Sequence, residues 1–209
     1  MEADMNEKFW ALPKDKQDRI INSALEVFAK NEYKKAPMSE IASAANISKS
    51  LLFHYFHNKK ELYLFLYDYA ISTQLRKLRE ADIMKETDFM EMFRKSVRVK
   101  CQVAREYTYM NQFLIRAYFE DEPELADKLG PKLTGLIDAS SEKLLSLIDK
   151  SKFKEESDAA MLLKLSIWIG EGYMLHQLRG KGSDIDQWEK DFIELIEFWK
   201  KNHYLEEYQ

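Results

Sequence analysis

Between Asn46 and Lys60 the chain carries three lysines, two histidines and no acidic residue. Such side chains donate hydrogen bonds and positive charge, so the chemistry they offer is the holding of anionic oxygens and base edges. Spacing gives that chemistry a scaffold. Read at 3.6 residues per turn, Ile41, Ala42 and Ala45 form one apolar face of a short helix, and Ile47, Leu51, Leu52 and Phe56 form the inner face of a second. Only Asn46, Ile47 and Ser48 separate them, which leaves room for a tight turn alone. Two short helices so joined make a helix-turn-helix, whose second helix lies in the DNA major groove. Its solvent side is expected to carry Lys49, Ser50, Phe53, His54 and Tyr55. Lys49, Ser50 and His54 then face base edges and Phe53 a thymine methyl, while Ser39, Tyr55 and Lys59 hold the helix on phosphates. An ordinary helical hairpin with polar residues outward is the alternative that the pattern alone leaves open.

The turn residues support the first reading. A residue that ends a helix and reverses the chain often needs positive φ, which Gly accepts freely and Asn better than most residues. No Gly precedes Gly130; Asn46 stands where the turn needs that freedom, and Asn31 where the preceding helix should stop. Ser48 is placed to cap the second helix through its hydroxyl. Asn58, with Glu61 three residues on, makes an Asx capping box for a helix beginning at Lys59. The N–H groups of that helix start, beside Lys59 and Lys60, suit a phosphate oxygen.

The stretch from Lys16 to about Ala70 resembles the N-terminal DNA-binding domain of the TetR family of bacterial transcriptional regulators. The residues that carry the resemblance are RIINSALEVFAKNEY, then SEIASAANIS, then LLFHYF, then NKKEL. The family usually has Gly where Asn31 and Asn46 stand, Thr near Pro37, and Tyr where Phe53 stands. The asparagines keep the backbone tolerance, whereas Phe53 lacks a hydroxyl, so a contact there is apolar. The resemblance implies a homodimer on a double-stranded, palindromic DNA operator, and repression as the commoner habit. It covers about a quarter of the chain; the remainder is similar only in length and helical character.

The rest of the composition is that of a globular protein, with 45% hydrophobic and 33% charged residues. Residues 1–62 hold 10 Lys and Arg against 9 Asp and Glu, so even the proposed DNA-binding segment is only weakly basic, while the remainder holds 22 against 27. That suits few phosphate contacts per subunit rather than a non-specific DNA coater. Cys101 is the one cysteine, which excludes an intramolecular disulfide, suits a reducing cytoplasm and reads as a small core residue. No apolar stretch reaches 18 residues, and MEADMNEKFWALP lacks the h-region of a signal peptide, so a cytoplasmic protein with no membrane partner is expected.

Few Gly and Pro residues and no convincing strand run predict an all-α chain. Helices are expected at 14–30, 39–45, 49–56, 59–80, 88–106, 109–119, 124–149, 157–179 and 185–204, with a break or kink at Gly130–Pro131 and a loop at Arg179–Asp184. The organisation is a helix-turn-helix domain at 1–62 and a larger helical effector-binding and dimerisation domain at 63–209, with helix 59–80 as connector. Helices 157–179 and 185–204 are apolar on more than one side and must be covered on more than one side. Ile167, Met174, Phe192 and Ile196 are the expected dimer contacts, and Gly170 and Gly172 suggest a close helix approach. The middle region is rich in Met and aromatic residues, which adapt to varied ligand shapes. Phe93, Met110, Phe113, Trp168 and Tyr173 are therefore the candidate pocket for a small, largely apolar effector whose identity the sequence does not carry.

Catalysis needs convergent polar groups, and the chain has no P-loop, GxGxxG, HExxH or GxSxG. His54 and His57 lie three apart with no carboxylate or Cys completing a metal set around them. A non-enzymatic regulator without cofactor or metal is expected, the alternative being an α-helical interaction protein that does not bind DNA.

Overall fold

The computed structural model describes residues 7–180 and 184–209, in which nine α-helices follow one another. They are α1 (Lys14–Lys30), α2 (Met38–Ala44), α3 (Lys49–Tyr55), α4 (Lys59–Glu80), α5 (Phe89–Glu106), α6 (Thr108–Tyr118), α7 (Pro123–Leu147), α8 (Asp158–Leu178) and α9 (Ile185–His203). Short 3-10 turns stand at Ile83–Lys85, Lys150–Lys152 and Glu206–Tyr208, and an isolated antiparallel bridge joins Phe153 to Tyr204. The fold is all-α, with each helix within two residues of its expected bounds. Residues 181–183 of the expected loop and the first six of the N-terminal reading lie outside the described residues. No helix among the described residues is long and apolar enough to cross a membrane.

Contacts divide the chain into two compact units, neither continuous in sequence. The first comprises residues up to Ser72 with Tyr107–Pro131; the second comprises Thr73–Glu106 and Lys132–Gln209. These packing units are cut elsewhere than the functional division expected at 62/63, because α6 and the start of α7 pack with the N-terminal helices.

In the first unit, α1 buries Ile20, Ile21, Ala24, Leu25 and Phe28, an i, i+1, i+4, i+5, i+8 stripe that requires a partner on that side. α6 is that partner along with α2. Phe28 meets Tyr63 edge-on at 5.0 Å, and Tyr63 meets Phe113 at 4.8 Å, so α1, α4 and α6 share one aromatic core. The Arg116 Nε–H donates to the Ala29 carbonyl at 2.5 Å, satisfying an acceptor that the end of α1 leaves open.

The second unit closes on Phe89, Met92, Val97, Cys101, Phe153, Leu162, Phe192, Ile196, Trp199 and Tyr204. Cys101 is fully buried there, and burial pushes its thiol up to about 12, which keeps it protonated and unreactive at neutral pH. Of the break or kink expected at Gly130–Pro131, a break does not occur. α7 runs unbroken through Pro131, so the helix tolerates the one hydrogen bond that the missing N–H removes. Gly170 and Gly172 have no neighbouring atom within 4 Å of where a Cβ would stand, so the close approach expected at them is not made among the described residues.

Candidate nucleic-acid interface

The turn between α2 and α3 is fastened at both ends by backbone N–H groups. The Ile47 N–H donates to the Ala42 carbonyl and the Asn46 N–H to the Ser43 carbonyl, both at 3.0 Å. This paired closure is a Schellman motif, and it requires the residue after the helix cap to be left-handed. Asn46 is that residue, with φ of 54°. On the far side the Ser48 hydroxyl accepts the Leu51 N–H at 3.1 Å and caps α3. Asn31 has a different task from Asn46. It stops α1 in an extended conformation, φ −124°, and its carboxamide donates to the Val27 carbonyl at 2.9 Å.

Behind α3 lies a contact that sequence reasoning missed. Residues 7–10 form a helical turn whose Phe9 is fully buried, 5.1 Å from Phe56, 5.2 Å from Phe65 and edge-on to Tyr55 at 6.2 Å. Gln17 secures this segment by donating its side-chain N–H groups to the Trp10 and Leu12 carbonyls at 2.9 and 2.8 Å. The Phe9–Trp10 pair just before Pro13 was its signal in the sequence. With Leu52, Tyr55 and Phe56 buried as well, α3 is backed by core on its inner face, where Leu51 is half-buried.

Its outer face carries Lys49, Ser50 and His54, all exposed, with Phe53 half-buried. The Lys49 ammonium sits 5.8 Å from the Phe53 ring centroid, a cation–π pair across one helical turn. Ser39 is exposed in the first turn of α2. Tyr55, expected on the solvent side, is instead only 6% exposed and packs toward Phe9. The reason is angular: Tyr55 follows Leu52 by three positions and shares its buried face. Lys59 is half-buried and already engaged. Its ammonium donates to the Lys34 carbonyl at 3.0 Å and lies 5.0 Å above the Tyr33 ring, and burial lowers its pKa. At the start of α4 the Glu61 N–H donates to Asn58 Oδ1 at 2.9 Å and the Asn58 amide donates to Glu61 at 3.0 Å. The capping box therefore forms, and it takes one of the N–H groups expected to meet phosphate.

The expected pocket residues are divided between the two units. Met110 and Phe113 are buried in the first unit, Phe113 against Phe28 and Tyr63. Phe93 stacks on Trp199 in the core of the second unit. Trp168 is 53% exposed, with the Lys164 ammonium 4.8 Å from its ring centroid. Tyr173 stacks on Trp188 at 4.8 Å, and the Tyr173 hydroxyl and Trp188 Nε1 are buried without a hydrogen-bond partner among the described residues. Two expected dimer contacts also change place: Phe192 and Ile196 are buried within the second unit's own core, while Ile167 and Met174 are half-buried. The apolar side chains that α8 and α9 do leave exposed are Met161, Trp168, Ile169 and Phe198.

Comparison with known proteins bears on the same helices. Residues 20–65 match the family model described as bacterial regulatory proteins, tetR family. The chain is 25% identical over 139 residues to the HTH-type transcriptional regulator RutR of Escherichia coli strain K12, covering 66% of this chain and 64% of that protein. It is 26% identical over 152 residues to the HTH-type transcriptional activator FasR of Mycolicibacterium smegmatis, covering 72% and 67%. The match to RutR thus spans less than two thirds of that relative's length. Among solved structures, a TetR family transcriptional regulator from Chloroflexus aurantiacus superposes with a TM-score of 0.65 at 21% identity, over 95% of this chain and 98% of that one. The transcriptional regulator FadR from Bacillus subtilis, in complex with stearoyl-CoA, gives 0.67 at 19% identity, over 86% and 96%. At such identities the structural likeness speaks to the fold.

Proposed function

Because the chain belongs to the TetR family of bacterial regulatory proteins, we propose that it is a sequence-specific, ligand-responsive DNA-binding transcriptional regulator. It acts as a repressor, released from a palindromic operator by a small, largely apolar effector. The observation that carries this reading is the α2–α3 turn. Its Schellman closure at Asn46 and hydroxyl cap at Ser48 fix α3 so that Lys49, Ser50 and His54 stand outward on a helix whose Leu52 and Tyr55 are buried. Lys49 offers a donor of the kind that reads guanine, and Phe53 beside it offers an apolar surface to a thymine methyl. Ser39 and Lys59 lie where phosphate contacts set register.

The dimer is the second part of the reading. Met161, Trp168, Ile169 and Phe198 give α8 and α9 an exposed apolar face that a second copy would cover. Two copies present two α3 helices, as a palindrome requires. The effector's chemical class is supported from two sides. The Bacillus subtilis neighbour holds stearoyl-CoA, and in this chain the unpaired Tyr173 hydroxyl and Trp188 N–H are donors suited to a carbonyl or carboxylate oxygen of an otherwise apolar molecule. The protein works in the cytoplasm, and no catalytic step is part of this function.

Retardation of the DNA upstream of its own gene tests the core of the proposal. Lys49→Ala should weaken binding by about 1–3 kcal/mol and relax specificity, whereas Lys59→Ala should weaken all sequences alike and shallow the salt dependence. Unchanged affinity in both variants would show that α3 is not the reading element.

A further inference from the structure

The start of α4 is crowded with charge from three parts of the first unit. Lys34, in the loop after α1, places its ammonium 2.8 Å from a Glu122 carboxylate oxygen; the lysine side chain is 73% exposed and the glutamate 18%. Lys59 donates to the Lys34 carbonyl at 3.0 Å, which fastens the Lys34 backbone to the first turn of α4. Glu122 stands in a turn with Glu120 and Asp121, and carboxylate oxygens of all three lie within 4.8 Å of one another. The Glu122 N–H donates to Glu120 Oε1 at 3.2 Å, so the turn is held by a backbone-to-side-chain bond. Crowded carboxylates repel, and a cation brought among them is held in return. Burial first, with Glu122 and Asp121 adding to it, keeps the Glu120 carboxyl above its ordinary value. The Lys34 ammonium is the charge that answers this turn.

We propose that Lys34 is a further phosphate-contacting residue and that Glu122 competes with DNA for it, so the Lys34–Glu122 pair opens when the duplex is engaged. The inference rests on the DNA-binding reading above. Three observations carry it. The pair is solvated on its lysine side, and ion pairs of that kind are weak enough to exchange. A phosphate oxygen offers the ammonium the same charge and acceptor chemistry as the carboxylate it leaves. Lys34 also shares its place with Lys59, at a helix start whose dipole favours anions.

Glu122→Gln keeps the shape and hydrogen-bonding capacity of the side chain and removes its charge. The probe is a duplex of about 30 base pairs of arbitrary sequence at about 50 mM salt, where phosphate contacts dominate affinity. The variant should bind roughly threefold to tenfold more tightly than the parent, and the slope of log affinity against log salt should steepen by about 0.9 per bound copy. Adding Lys34→Ala to it should remove both gains. Lys34→Ala alone should bind less tightly than the parent with a shallower slope, which gives a second reading that does not depend on the Gln variant folding. Parental affinity and slope in Glu122→Gln, or gains that survive loss of Lys34, overturn the proposal. A parent chain that fails to bind duplex even at this salt overturns the DNA-binding reading itself, a different result from a parent that binds and a variant that binds no better.

Discussion

Asn46 holds φ of 54°, a conformation in which the Cβ of most residues meets the following carbonyl oxygen. Asn46→Gly should therefore change stability by less than about 1 kcal/mol, since Gly accepts the geometry and adds only chain entropy. Asn46→Val should cost at least about 1 kcal/mol, because a branched Cβ is strained there. Denaturant unfolding checks both, and equal stability of the Val variant would show that the turn does not depend on this angle. Sequence reasoning reached this residue because turn chemistry is local: Asn46, Ser48 and the Asn58–Glu61 box act within four residues of themselves. It failed at Tyr55, and missed the contacts that Lys59 makes within the chain, for the opposite reason. Tyr55 is claimed by Phe9, and Lys59 by Tyr33 and Lys34, partners 25 or more residues away.

At the scale of elements, helix bounds followed from periodicity and capping, but the choice of inward face did not. α8 and α9 are apolar on several sides, so the pattern cannot say which side meets its own core and which faces outward; Phe192 and Ile196 went inward and Phe198 outward. Phe113 was legible as apolar, yet only the folded chain reveals that α6 sets it against Phe28 of α1 and Tyr63 of α4. The junction of α5, the 150–152 turn and the C-terminal segment also escaped the sequence. Burial alone would raise the Asp88 carboxyl. The Lys152 ammonium at 2.8 Å, the Glu91 N–H at 3.0 Å and the Tyr204 hydroxyl at 3.1 Å outweigh it and hold Asp88 below its ordinary value. A carboxyl depressed in the folded state contributes stability that is complete above its unfolded value, about 4, and is lost as the pH falls through the folded value. Asp88→Asn should thus cost about 1–3 kcal/mol at neutral pH and make unfolding less acid-sensitive below pH 4 or so. An unaltered acid limb in that variant would mean that Asp88 does not supply the dependence.

For the whole molecule, the account needs two copies acting together. Phe198 is 61% exposed on α9, so charging it leaves the chain's own core intact and strikes only a surface another copy would cover. Phe198→Lys should give a folded monomer by light scattering, and tight operator binding should be lost with the dimer, because one half-site buries too little surface. A parent chain that is already monomeric would refute this part. The central claim, that α3 reads a DNA sequence, is tested most directly by selecting bound duplexes from a randomised pool. The account predicts enrichment of an inverted repeat whose half-site centres lie about 34–36 Å apart or a multiple of that, with enrichment lost in Lys49→Ala. A pool that emerges from repeated selection with no enriched sequence would contradict it.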